Sequence, residues 1–148
     1  MTALRVPAWY ADNIGGKNNL KSRRSFVKKP RANLEHKFQV RLVNELRAMK
    51  PAPLFFAIPN AGKMHVRHRV NLISEGLLPG APDLSFPLPG GRTGYLELKA
   101  PKGVLSKNQE KFRDAVIPLG HYWEFAKSFD EAWGVLAGWG VVPSGVSA

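Results

Sequence analysis

The chain has 148 residues, enough for one domain with a proper core, and its apolar fraction of 44% is ordinary for a globular protein. It has no cysteine, which excludes disulfides and thiolate metal sites and leaves oxygen or histidine to ligate any metal. A net charge of +11, with a pI near 10.3, points to a polyanionic partner, most often nucleic acid; acidic lipid or mere solubility are the bland alternatives.

No apolar run reaches membrane-spanning length and no secretory signal is visible, so a cytoplasmic protein without a membrane partner is expected. The charge is unevenly placed. Residues 1–32 hold eight Lys or Arg against the single Asp12, a surplus of seven out of the chain's +11. Gly15-Gly16 and Asn18-Asn19 break helical periodicity there, so these residues are expected to form a basic N-terminal arm. Lys21, Arg23, Arg24, Lys28 and Lys29 are its candidate DNA-phosphate contacts, and a solubilising tail is the alternative. Trp9 and Tyr10 either stack on a base or anchor the arm to the domain or a second subunit.

Asn33 is the expected N-cap of a helix running to about Met49, with Leu34, Phe38, Leu42, Val43 and Leu46 on its core stripe. Glu35 and Gln39 lie one turn apart on a shared face, where an acid early in a helix is favoured by the helix dipole alone. Pro51 and Pro53 end the helix, and the apolar run Leu54–Ile58 predicts a short buried strand. Pro59-Asn60-Ala61-Gly62-Lys63 then turns the chain into a helix expected over Lys63–Glu75. Its Lys63, His65, Arg67, His68 and Arg69 read as DNA-backbone contacts or as a solvated face; His65 and His68 lack a third metal ligand nearby.

The informative stretch is Gly80–Lys99. Leu84–Leu88 reads as a strand, Pro89–Gly94 with its three glycines as a turn, and Tyr95–Ala100 as a strictly alternating partner strand. Leu96 and Leu98 then face one way, and Tyr95, Glu97 and Lys99 the other. Asp83 opens the first strand, so hairpin pairing is able to bring it within a few ångströms of Glu97. Two carboxylates that close repel unless a proton or a divalent cation lies between them. Lys99 beside such a cation would steer or activate a water, and Lys102 in the following loop is a further candidate DNA contact. The alternative for the trio is an ordinary surface ion pair, worth roughly 0–1 kcal/mol.

Ser106-Lys107-Asn108-Gln109 fits a capping box, which by itself explains both Ser106 and Gln109, and opens a helix to about Ile117 that buries Phe112, Val116 and Ile117. His121–Ala126 alternates as a strand. Ser128-Phe129-Asp130-Glu131 is a second capping box, starting a helix to about Ala137 with Trp133 and Leu136 inward. Residues 33–140 thus form the expected domain and 141–148 a short tail.

Five blocks stand in order: Glu35-His36-Lys37-Phe38-Gln39, Pro59-Asn60, Glu75-Gly76 ahead of Gly80-Ala81-Pro82-Asp83, Glu97-x-Lys99, and Ser106-x-x-Gln109. Together they resemble the VRR-NUC family of the PD-(D/E)xK nuclease superfamily over about residues 33–138. The resemblance implies an α/β fold with a restriction-endonuclease-like core, a mixed β-sheet flanked by helices. It implies catalytic roles for Glu35, Asp83, Glu97, Lys99 and Gln109, with Asn60 next to the catalytic pocket. Asp83, Glu97 and the backbone carbonyl of Leu98 would ligate Mg²⁺ or Mn²⁺, with Glu35 beside them or holding a second ion. The expected function is metal-dependent hydrolysis of DNA phosphodiesters, in some members of the family on branched DNA or Holliday junctions as a homodimer. A non-catalytic DNA-binding protein, a nuclease on linear duplex and an RNA-directed activity are the alternatives.

Overall fold

The computed structural model describes residues 31–59 and 65–145. Helix α1 (Arg31–Ala48) is followed by β1 (Phe56–Ala57), α2 (Val66–Ser74), β2 (Leu84–Leu88), β3 (Arg92–Leu98), α3 (Lys107–Val116), β4 (Tyr122–Ala126) and α4 (Phe129–Gly138). The order of helices and strands matches the expected one. The four strands form one mixed sheet in the order β1-β2-β3-β4. The first two pairings are antiparallel, and β3 runs parallel to β4, with α3 as the crossover a parallel pair requires.

Alternation along β3 places its two sets of side chains in two cores. Leu96 and Leu98 join Leu84 and Phe86 of β2, Leu42 and Leu46 of α1, and Phe129, Ala132 and Leu136 of α4 in the larger cluster. Leu42 and Leu46 are fully buried, each contributing about 1.5–3 kcal/mol. Tyr95 points the other way and packs with Phe112 and Val116 of α3 and Trp123 of β4. The sheet is therefore covered on both faces, by α1 and α4 on one and by α3 on the other. Val142, placed in the tail on sequence grounds, is 5% exposed and belongs to the larger core.

The β2–β3 connection is tighter than expected. A single 3-10 turn, Pro89–Gly91, suffices, because Gly90 and Gly91 take positive φ values of 78° and 72°. Strand β3 accordingly begins at Arg92 rather than Tyr95. Gly94 serves packing instead: it lies opposite Phe86, and a Cβ there would fall 2.6 Å from the Trp139 ring.

Other expectations are corrected. The helix begins at Arg31, so Asn33 lies inside it and the last two residues of the expected arm are helical. Leu34, placed on the core stripe from the sequence, is 51% exposed. The run Leu54–Ile58 is not a buried strand: only Phe56–Ala57 pair, at the sheet's edge, and both are exposed. Phe55 and Ile58 are half-buried, and Phe55 stacks on Phe86 at 5.6 Å. Helix α2 buries no residue, and its Val66 and Val70 remain exposed. Ile117 falls in the turn after α3 and is 50% exposed. At α4, Ser128 caps as expected, but the Glu131 carboxylate accepts from the N–H of Lys127 (2.7 Å), one residue before the cap.

Candidate active site

Asp83 immediately precedes β2, and Glu97 lies near the end of β3, so the hairpin register itself draws the two acids to one end of the sheet. The Asp83 side chain is fixed by its own partner strand: Oδ2 accepts from the Leu98 N–H at 2.8 Å. Glu97 sits on the α3 side of β3, 2% exposed. Its Oε1 receives the Lys99 ammonium at 2.9 Å and the Gln109 Nε2 at 2.6 Å. Lys99 and Glu97 point the same way because they are two residues apart on the strand face, as the alternation predicts. The pair is not a surface ion pair, since only 3% of the Glu97 side chain and 14% of that of Lys99 reach solvent.

Gln109 arrives from α3. Its Oε1 accepts from the Ser106 N–H at 2.9 Å, and its own N–H donates to Ser106 Oγ at 3.3 Å, completing the capping box. With Oε1 engaged by the cap, the amide nitrogen is the atom turned to Glu97. The capping reading and the active-site reading of Gln109 are therefore one arrangement. Ser106, singled out from the sequence only as a cap, determines which end of that amide the carboxylate meets. Gly80 lets the segment before Asp83 approach the same helix start, where a Cβ would meet the Asn108 backbone at 2.5 Å and φ is +91°.

Glu35 reaches the site from the first turns of α1. Its Oε1 accepts from the Ala100 N–H at 3.1 Å, pinning the chain as it leaves β3. The charges meet on Glu97, whose pKa is pushed up to about 7, first by burial, then by the Asp83 charge and more weakly by that of Glu35, with Lys99 opposing. Among the described residues no three His, Cys, Asp or Glu side chains stand close enough to hold a metal ion by themselves. The side-chain oxygens that could hold one are those of Asp83 and Glu97, the acids whose charges meet here.

Of the expected DNA contacts, Arg67 lies on exposed α2 with Arg69 half-buried beside it, and Lys102 is exposed in the loop after β3. His65 and His68 are exposed too. Lys21, Arg23, Arg24, Lys28, Lys29, Asn60 and Lys63 lie outside the described residues.

No family model and no curated protein matches the sequence. Among solved structures, a VRR_NUC domain protein superposes with a TM-score of 0.58 over 71% of this chain and 86% of its own, at 18% identity. The fold is that of a VRR_NUC domain. Within this fold Asp83 immediately precedes β2, Glu97 lies on β3, and Glu35 comes from α1. Among the described residues no helix is long and apolar enough to cross a membrane.

Proposed function

We propose that this chain is a nuclease of the VRR-NUC type that hydrolyses DNA phosphodiesters with Mg²⁺ or Mn²⁺. One observation carries the reading. Glu97 is a nearly inaccessible carboxylate whose proton affinity is raised first by burial and then by two neighbouring acids, yet it is clasped at one oxygen by an ammonium and an amide. Such a group is poised to exchange its proton for a hard cation, and the donor chemistry, carboxylate oxygen without thiolate or imidazole, suits Mg²⁺. Asp83, Glu97 and the Leu98 carbonyl would hold the ion, which keeps several waters and so needs few protein ligands. When bound, it would lower the pKa of a water and offset charge on the phosphate oxygens.

The chain's own groups do the rest. The Leu98 N–H fixes the Asp83 carboxylate. Gln109, locked by the α3 cap, fixes the Glu97 rotamer. Lys99 has three donors and uses one on Glu97, so its ammonium is placed to orient the attacking water or to stabilise negative charge developing on the phosphate. Glu35, by holding the Ala100 N–H, keeps Lys99 at the strand's end. The charge surplus of residues 1–32 supplies affinity for the phosphate backbone. A branched DNA or Holliday junction cut by a homodimer, which would set two such sites against two strands, is the substrate reading carried forward.

The test is Glu97→Ala. The variant should lose Mg²⁺-dependent cleavage while retaining DNA binding, across a panel of junction, flap and linear duplex with light scattering on the same samples. Full activity in the variant would remove the nuclease reading. A strict monomer nicking every duplex equally would remove the junction reading alone.

A further inference from the structure

Among the described residues strand β4 is the last strand of the sheet and pairs with β3 alone. Edge strands are usually blunted by charge or proline; this one has the exposed Glu124, but it also carries Tyr122, Trp123 and Phe125 in five residues. Partners across a parallel ladder point to the same face. Trp123 stands beside Tyr95, and Phe125 stands beside Glu97, with strands about 5 Å apart. Trp123 is covered by α3, at 6% exposure. Phe125, the next residue on that face, stays 39% exposed, its ring centroid 6.2 Å from that of Trp123. The Lys127 ammonium lies 5.7 Å from the Phe125 ring. The Lys127 backbone N–H is bound to Glu131, which anchors the residue without using the ammonium.

We propose that Phe125 and Lys127 form a platform for an unpaired DNA base, Phe125 stacking the base and Lys127 meeting its phosphate, next to the strand position of Glu97. An exposed aromatic ring with a flexible cation over it is the chemistry that binds single strands: the base takes the ring, the displaced ammonium takes the phosphate, and every base offers a π-face and every linkage a negative charge. The chain's charge of +11 is complementary to that occupant. The location beside Glu97 gives the nuclease reading a substrate class: DNA with unpaired bases at the cleavage point, as in forks and flaps and not in a fully paired four-way junction. The platform rests on that reading only for its purpose; its binding is testable without cleavage.

In chelator, binding of a forked duplex with unpaired thymidine arms and of a fully paired duplex of equal length is followed by fluorescence anisotropy. The wild-type chain should prefer the fork. Phe125→Leu should weaken fork binding about tenfold, the worth of one stacked base, and leave duplex binding nearly unchanged. Phe125→Trp should restore the preference. Lys127→Gln, which leaves the backbone contact intact, should reduce the salt dependence of fork binding. Phe125→Leu binding the fork as the wild type does, or losing fork and duplex equally, would overturn the platform. Should Phe125→Leu fail to fold, unaltered fork binding and salt dependence in Lys127→Gln would overturn it instead. A Phe125-dependent fork preference in a wild-type chain that never cleaves with Mg²⁺ would uphold the platform and refute the nuclease reading. Cleavage by the wild type with fork binding indifferent to Phe125 would do the reverse.

Discussion

Replacing Glu97 by Gln keeps a side chain of the same shape and an oxygen for the Gln109 and Lys99 donors, but removes the titratable proton. In the folded chain the Glu97 carboxyl has a pKa of about 7, against 4.5 in the unfolded chain. Folding therefore tightens proton binding. The associated stability is fully present below pH 4.5 and is lost as the pH rises through 7. At about 1.36 kcal/mol per pH unit, the interval from 4.5 to 7 corresponds to roughly 3 kcal/mol. In a domain of this size that is on the order of 10 °C in Tm. Thermal melts by circular dichroism in chelator between pH 5 and 9 should show the wild type losing stability relative to Glu97→Gln as the pH rises. The two chains differ in no other ionisable group, so the difference between the two profiles isolates Glu97. Mg²⁺ added at pH 8 should raise the wild-type Tm and not that of the variant, since an ion that binds the folded chain stabilises it by mass action. Profiles that run parallel at every pH would refute the account of a carboxyl strained by burial and its acidic neighbours.

Two further variants probe the scaffold. Gly94→Ala should cost about 1–3 kcal/mol in urea unfolding, because the added methyl meets the Trp139 ring at 2.6 Å; an unchanged midpoint would show that the ring moves freely. Ser128→Ala should cost about 1 kcal/mol by removing the acceptor for the Glu131 N–H, with cleavage per folded molecule unchanged, since α4 lies on the face away from Glu97.

What lies within one hairpin or one helix turn was readable from the order of residues. The alternation of Tyr95–Lys99, the glycines of the β2–β3 turn and the Ser106–Gln109 spacing are governed by local geometry, so they identified the acid-bearing strand and the capped helix without any fold. Whether a strand is central or at an edge is not local. The run Leu54–Ile58 looks like a core strand yet lies at the border with two paired residues, because among the described residues it has a partner on one side only. The apolar residues of α2 are as periodic as those of α1, and nothing in their spacing shows that Val66 and Val70 stay exposed among the described residues. The meeting of Gln109, Lys99 and Glu97 at one oxygen, the clasp of Glu35 on Ala100, and the place of Phe125 beside Glu97 each join residues from different elements. The sequence determined the chemistry this chain has to offer. Only the packing of α3 and α1 against β3, and the pairing of β4 along its side, decided which of those groups share a charge and which of them face solvent.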